Sequence, residues 1–203
     1  KSALTALARV VKAHRLVVIS DEIYSRLTYG VPHESIAGGS RGLAERTVVV
    51  DGLSKAYAMT GWRMGYAAGP AEVIKAMGAL QSHSTSNASS IVQKAALQAL
   101  SGSQKSIEGM RKEFERRRNF MLKALAWIPG WSCSKPTGAF YLFINIKKTG
   151  MTSAECAERL LMEGHVALIP GVEFGAEGYL RLSYAASQSV LKEAVKRIKK
   201  VFL

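Results

Sequence analysis

The chain has 203 residues, of which 48% are hydrophobic and 21% are charged, as in an ordinary globular protein. This composition excludes collagen-like, low-complexity and disordered chains, and no apolar run approaches the roughly 20 residues of a membrane-spanning helix. The 28 Lys and Arg residues exceed the 15 Asp and Glu residues by 13, which favours an anionic partner: a polyanion or a small phosphorylated or carboxylated ligand.

The first half of the chain is predicted to alternate helices with short apolar strands. Helical spacing of apolar residues begins after Ser2, a predicted N-cap. Continuous, β-branched runs predict strands that are buried on both faces, as in a parallel sheet. Such strands are predicted over residues 16–19 and 47–50, and a third strand is predicted over 65–69. Helices follow over 71–80 and 91–100, with a loop or helix entry over 82–90.

The second half begins with a charged amphipathic helix, and Pro129-Gly130 ends it. Strands interleaved with helices predict an α/β fold, with one domain over residues 1–103 and a small α+β domain over residues 104–203. The predicted elements of the second domain are helices over residues 106–126, 152–163 and 187–201 and strands over 140–144, 166–169 and 179–183.

The cysteines and histidines form no pattern that indicates a metal site or a disulfide framework. Cys133 and Cys156 belong to no CxxC motif, and the four histidines make no pair at metal-ligand spacing. We therefore expect no metal and a reducing, cytoplasmic compartment. The chain begins at Lys1 and is already helical by Ser2, so we expect that it enters a longer protein part-way.

Polar side chains follow the first two predicted strands. Asp21 and Tyr24 come after the first strand, and Lys55 and Arg63 come after the second. Taken singly, such residues are most often helix caps or solvated surface charges. Because ligands of open α/β sheets gather at the carboxyl ends of strands, one crevice is predicted to hold all four groups.

The most specific motif spans residues 54–66 and reads SKAYAMTGWRMGY. It resembles the lysine segment of fold-type I pyridoxal 5′-phosphate (PLP) enzymes, and more narrowly that of class I/II aminotransferases of the aspartate aminotransferase family. The resemblance implies the C-terminal half of a subunit: part of a large domain with a mainly parallel sheet, then a small α+β domain. Further elements of that family follow its order and read DEIY at 21–24, GAFY at 138–141, PGVEFG at 170–175 and YLRLSY at 179–184.

The resemblance also implies a role for each site residue. Lys55 forms a Schiff base with the PLP aldehyde and then acts as the base that moves the substrate Cα proton. Asp21 pairs with the pyridine nitrogen, and Tyr24 hydrogen-bonds the 3′ oxygen of the cofactor. Arg63 clamps the cofactor phosphate, with Ser54 as a weaker phosphate contact, and relatives carry a second serine where this chain has Gly52.

Arg181 completes the implied site by binding the substrate α-carboxylate through its two-pronged guanidinium. The implied reaction moves an amino group from an amino acid to a 2-oxo acid, with aspartate and 2-oxoglutarate as the best-matching pair. The family also implies a homodimer, and from the residues we expect no nucleic acid and no membrane as partners. Because the family's phosphate cup, stacking ring and Asn lie upstream, we expect the chain alone to be inactive.

Two alternatives share the same motifs. One is an aminotransferase-like effector domain of a transcription regulator, which the basic charge mildly favours. The other is a different fold-type I PLP enzyme, such as a carbon–sulfur lyase or a synthase. The run from Arg116 to Arg118 is interpreted as a solvated helix face, because no aromatic residues are interleaved for base stacking.

Overall fold

The computed structural model describes residues 2–39 and 42–203. They divide into two compact units, Lys1–Glu108 and Gly109–Leu203. Each unit has its own β-sheet accompanied by helices, which confirms the α/β class. None of the described helices is both long enough and apolar enough to cross a membrane.

The first unit contains a three-stranded sheet in the order β1-β2-β3. Strand β1 pairs in parallel with β2, but β3 pairs antiparallel with β2 and thus departs from the mainly parallel sheet that was expected for this domain. The connection from β2 to β3 contains only turns and one 3-10 helix, whereas a parallel return requires a longer crossover, usually an α-helix. The elements are α1 (Ser2–Ala13), β1 (Val18–Asp21), β2 (Thr47–Gly52), β3 (Gly65–Ala68), α2 (Ala71–Ser84) and α3 (Ser90–Ser101).

The apolar face of α1 forms a small core with the segment between β1 and β2. Ala8 and Val11 of the helix are buried together with Ile36 and Leu43. The sequence predicted that β1 is buried on both faces. Among the described residues this prediction is wrong, because Ile19 is 76% exposed. The strand keeps one face against α1, and no described residue covers Ile19 on the other face.

The second unit contains an antiparallel sheet in the order β4-β5-β7-β6. Its central strands alternate with period two, so Leu142, Ile144, Leu180 and Leu182 are buried on one face. The predicted strand over 166–169 begins only at Ile169, because His165 ends the preceding helix in a left-handed conformation with φ 51°. The elements are α4 (Lys105–Leu125), which begins in the first unit, β4 (Ser132–Cys133), β5 (Tyr141–Asn145), α5 (Ser153–Gly164), β6 (Ile169–Pro170), β7 (Tyr179–Ser183) and α6 (Gln188–Phe202).

The arginine run on α4 is not a uniformly solvated face. The Arg116 side chain is 59% exposed, as predicted, whereas Arg118 is 1% exposed. The buried guanidinium donates to the Pro136 carbonyl at 2.8 Å and to Glu115 at 3.1 Å. Arg118 therefore stabilises the fold, and the solvated interpretation is wrong for this residue.

Candidate active site

The carboxyl ends of β1 and β2 lie side by side and position Asp21. This residue is exposed, ends β1 and pairs in register with Val50 of β2. Its Oδ1 accepts the backbone N–H of Ile23 at 3.2 Å, which starts the turn that carries Tyr24. Tyr24 is half-buried in that turn, where its carbonyl accepts the Leu27 N–H at 2.8 Å.

The connection between β2 and β3 places Ser54, Lys55 and Arg63 at the same edge of the sheet. Gly52 is the register partner of Gly65, so the two ends of the connection are paired and both lie at this edge. Ser54 and Lys55 are half-buried in the turn that follows β2. Toward the described residues, the Lys55 amine makes no hydrogen bond and no ion pair, so it is available to a ligand.

Arg63 adopts a left-handed backbone conformation, with φ 54° and ψ 47°, at the end of the 3-10 helix Thr60–Trp62. A residue other than glycine is strained in this region. The exposed guanidinium donates from Nη1 to the Thr60 carbonyl at 3.0 Å. This single bond leaves the remaining N–H groups available to an anion.

Asp51 holds the two strand ends and the intervening turn together, a role that the sequence analysis missed. Its Oδ2 accepts hydrogen bonds from Ser25 Oγ at 3.2 Å and from Tyr66 Oη at 3.3 Å. Its Oδ1 accepts the Gly52 N–H at 2.6 Å. Burial, followed by the negative charge of Asp51, raises the pKa of Tyr66. The signal in the sequence that could have indicated this role is the position of an acidic residue directly after the Val48–Val50 run.

Glu22, the neighbour of Asp21, is a buried acid that holds a distant segment against the end of β1. It accepts hydrogen bonds from Ser35 Oγ at 2.6 Å and from Ser20 Oγ at 3.0 Å. Its Oε2 lies 2.7 Å from Nε2 of His33. Burial by itself raises the pKa of Glu22, but these hydrogen bonds and the charge of His33 outweigh it, so the pKa is lowered overall.

Arg181 is half-buried in the middle of β7, in the second unit. The guanidinium carbon lies over the ring of Tyr141 at 4.7 Å and over the ring of Phe174 at 4.4 Å. Among the described residues, no acceptor forms a hydrogen bond or ion pair with this guanidinium. Both rings belong to the motifs at 138–141 and 170–175, but no pattern in the sequence indicated a role for either.

A groove of about 560 Å³ in the second unit contains none of the predicted site residues. Its walls include Met121, Leu182 and Val190 and are mainly apolar. The chemistry-bearing side chains of the first unit lie instead on an open sheet edge. The described residues also contain no group of three or more His, Cys, Asp and Glu side chains that could hold a metal ion.

The groups at the sheet edge of the first unit match the functional groups of PLP. The edge presents an exposed carboxylate, an amine without a described partner and a guanidinium with free N–H groups. These are the groups needed for a pyridine nitrogen, an aldehyde and a phosphate, respectively. The residues that fit are Asp21, Lys55 and Arg63, with Tyr24 and Ser54 beside them on the same turns.

Comparison with known proteins places these features in a family context. The family model for aminotransferase class I and II matches residues 1–198. The chain is 51% identical over 201 residues to the aspartate aminotransferase of Geobacillus stearothermophilus, covering 96% of this chain and 51% of that protein. It therefore spans about half the length of the curated relatives it matches.

Solved structures show the same similarity in three dimensions. The chain is similar to an aromatic aminotransferase from Pyrococcus horikoshii OT3, with a TM-score of 0.95 and 42% identity over 99% of this chain and 55% of that one. It is also similar to the aspartate aminotransferase from Thermus thermophilus with maleate. That match has a TM-score of 0.92 and 42% identity over 99% of this chain and 52% of that one.

Proposed function

The chain belongs to the class I and II aminotransferase family, and we propose that it carries the catalytic lysine of a PLP-dependent aminotransferase. The observation that supports this most is the position of Asp21, Lys55 and Arg63. All three lie at one edge of the first sheet, on strand ends that are paired in register.

PLP, when bound, supplies an electron-withdrawing pyridine ring that stabilises negative charge at the substrate Cα. Asp21 supports this chemistry by accepting a hydrogen bond from the ring N–H, so that the nitrogen stays protonated. Its position at the end of β1 suits this task, because the turn bond from Ile23 orients the carboxylate. Tyr24, on the same turn, donates its phenolic proton toward the 3′ oxygen.

Lys55 has two tasks. Its primary amine is the group that would hold the cofactor at its aldehyde, which no other side chain type can do in this way. When not holding the cofactor, the free Nζ would act as the base that moves the substrate Cα proton. Because Lys55 lies in a turn closed by backbone bonds from Tyr57 and Met59 to Leu53, its backbone stays fixed while the side chain moves.

Two arginines bind the anionic groups. Arg63 binds the cofactor phosphate with the N–H groups that Thr60 leaves free, and Ser54 adds a weaker contact. Arg181 binds the α-carboxylate of the substrate, which is an amino acid in one half-reaction and a 2-oxo acid in the other. We propose aspartate and 2-oxoglutarate as this pair, supported by the aspartate aminotransferase of Geobacillus stearothermophilus as a relative.

The organisation of the whole protein is proposed on the same basis. Residues 1–103 form the C-terminal part of a large PLP-binding domain, and residues 104–203 form a small domain. The division of the structure after Glu108, within α4, supports a boundary in this region. We further propose that the full-length protein is a cytoplasmic homodimer and that the chain alone does not transfer amino groups.

The test is site-specific labelling of the chain by PLP. After incubation with limiting PLP and reduction with borohydride, mass spectrometry is expected to find the phosphopyridoxyl group on Lys55. Lys55→Ala should abolish the label, whereas Lys75→Ala, a change at an exposed lysine of α2, should retain it. Labelling that is unchanged in Lys55→Ala would overturn the proposal. Transfer between aspartate and 2-oxoglutarate by the chain alone would overturn its proposed inactivity.

A further inference from the structure

The environment of Arg181 differs from that of the other arginines in the second unit. Arg118, Arg159 and Arg197 each donate to a glutamate at 2.9 to 3.2 Å. Arg181 instead contacts two aromatic rings, and no described residue accepts a hydrogen bond from it. Its guanidinium is thus held by apolar contacts while its donors stay available.

We propose that Tyr141 and Phe174 are positioning residues, which hold the guanidinium of Arg181 through ring contacts and leave its N–H groups for a carboxylate. A guanidinium is planar and weakly hydrated, so its face packs well on an aromatic ring. Its five N–H donors lie in its plane and are not used by this contact. The inference rests on the proposed function of Arg181 as the carboxylate-binding residue.

Tyr141 is fixed at the start of β5 by the residue that follows β7. The Tyr184 N–H donates to the Phe140 carbonyl at 2.9 Å, and the Tyr184 hydroxyl donates to the Ala139 carbonyl at 3.1 Å. Tyr184 is fully buried, so both bonds are shielded from water. The backbone that follows Arg181 is therefore tied to the segment that carries the first ring, and the pairing of β5 with β7 ties the backbone that precedes it.

Phe174 is fixed by a tight turn and by a second aromatic residue. It ends the 3-10 helix Gly171–Phe174, and Gly175 follows in a left-handed conformation with φ 67°. The ring of Phe143 meets that of Phe174 edge-on, with centroids 6.2 Å apart. Phe143 lies on β5 and is also the register partner of Arg181. One strand pairing therefore positions both the arginine and the residue that packs against the ring of Phe174.

This arrangement reduces the conformational entropy that Arg181 loses when it binds a carboxylate, because the rings already restrict the side chain. A free arginine side chain samples many rotamers, and ordering it on binding opposes affinity. With the rings in place, part of that ordering is completed before the ligand arrives. Removing one ring is expected to weaken carboxylate binding by about fivefold, without affecting PLP labelling of Lys55 in the first unit.

The test uses the ¹⁵N-labelled chain and sodium maleate as the carboxylate probe. The side-chain Nε–H resonance of Arg181, identified by its loss in Arg181→Lys, is followed during titration to obtain the Kd. Phe174→Leu and Tyr141→Leu each remove one ring, whereas Phe174→Tyr and Tyr141→Phe retain a ring at the same place. Phe202→Leu is the matched control, because it removes the ring under Arg159, 5.5 Å from that guanidinium.

We expect both leucine variants to raise the Kd about fivefold and to shift the ligand-free Arg181 resonance as the ring current is lost. The ring-retaining variants and Phe202→Leu should bind as the parent chain does. Comparable affinities in the parent and both leucine variants, with thermal unfolding midpoints that show them to be folded, would overturn the positioning role alone. Absence of maleate binding by the parent chain would overturn the role of Arg181 itself, and this inference with it.

Discussion

The carboxylate of Glu22 lies 2.7 Å from Nε2 of His33, and the two residues join the end of β1 to the loop that follows it. Glu22 is only 8% exposed. Two serine hydroxyls, those of Ser20 and Ser35, donate to the same carboxylate. Since Asp21 is the adjacent residue, this buried cluster supports the strand end on which the proposed cofactor site is built.

Glu22→Gln is predicted to lower the free energy of unfolding at pH 7 by about 1–3 kcal/mol. Both serines donate to Oε1, which the glutamine carbonyl can replace. The amide NH₂ then takes the place of Oε2, beside Nε2 of His33, where it cannot accept a hydrogen bond and carries no charge to pair with the imidazole. Urea unfolding of the purified chain measures the change. Glu72→Gln, which alters an exposed glutamate of α2, is the control and should leave the unfolding midpoint in place.

The difference in stability between the parent chain and Glu22→Gln is predicted to depend on pH. The pKa of Glu22 is lowered in the folded chain from the ordinary value of 4.5, despite burial that acts in the opposite direction. The stability that ionised Glu22 contributes is therefore fully present above pH 4.5 and is lost as the pH falls through the lowered pKa. The difference between the parent and Glu22→Gln should shrink in that acidic range, and a constant difference there would contradict the assignment.

Arg63→Gly is predicted to stabilise the chain while weakening its affinity for PLP. Glycine relieves the left-handed strain at φ 54°, which is worth about 0.5–1 kcal/mol, but it removes the proposed phosphate ligand. Ala58→Gly is the matched control, because Ala58 has φ 53° in the same connection and carries no polar side chain. It should give the stability gain with unchanged PLP affinity, as measured by thermal unfolding and by absorbance titration. Equal PLP affinities in the two variants would speak against Arg63 as the phosphate ligand.

Arg118→Met is predicted to destabilise the second unit by about 2–3 kcal/mol. The substitution approximately keeps the volume of the side chain but removes the Arg118 donor from the Pro136 carbonyl and from Glu115, which keeps its bond from Arg111. Arg116→Met is the control, because Arg116 is exposed on the same helix, and it should leave the urea midpoint unchanged. Equal midpoints for the two variants would show that the buried hydrogen bonds of Arg118 contribute no net stability.

Gly171→Ala and Gly78→Ala are predicted to change stability in opposite directions. A Cβ at Gly171 would lie 2.6 Å from the Tyr179 carbonyl oxygen, so the turn that carries Phe174 must shift, at a cost of about 1–3 kcal/mol. A Cβ at Gly78 meets open space inside α2, where alanine favours the helix by up to about 1 kcal/mol. Thermal unfolding of both variants checks the signs, and stabilisation by Gly171→Ala would contradict the packing described for this turn.

The residues expected at the site were all recognisable before the fold was known, because each belongs to a short motif with a fixed order along the chain. The strand ends were also predictable, since apolar runs such as residues 47–50 show where a strand lies and which residues follow it. Partners distant in sequence were not. Glu22 meets His33, and Arg181 meets Tyr141, only because strand pairing and turns bring these residues together.

The sequence by itself determined the order of the helices and of every strand except β4, the resemblance to one family, and the positions of Lys55, Asp21 and Arg63 on the turns after the first strands. Local periodicity indicates which backbone segments are helices or strands, and motif spacing indicates which chemical groups are neighbours in the chain. These conclusions need no further information. Only the tertiary structure decided that β3 runs antiparallel, that Arg118 is buried and that two rings hold Arg181. These properties depend on strand register and side-chain packing between segments far apart in the chain, which no local pattern encodes.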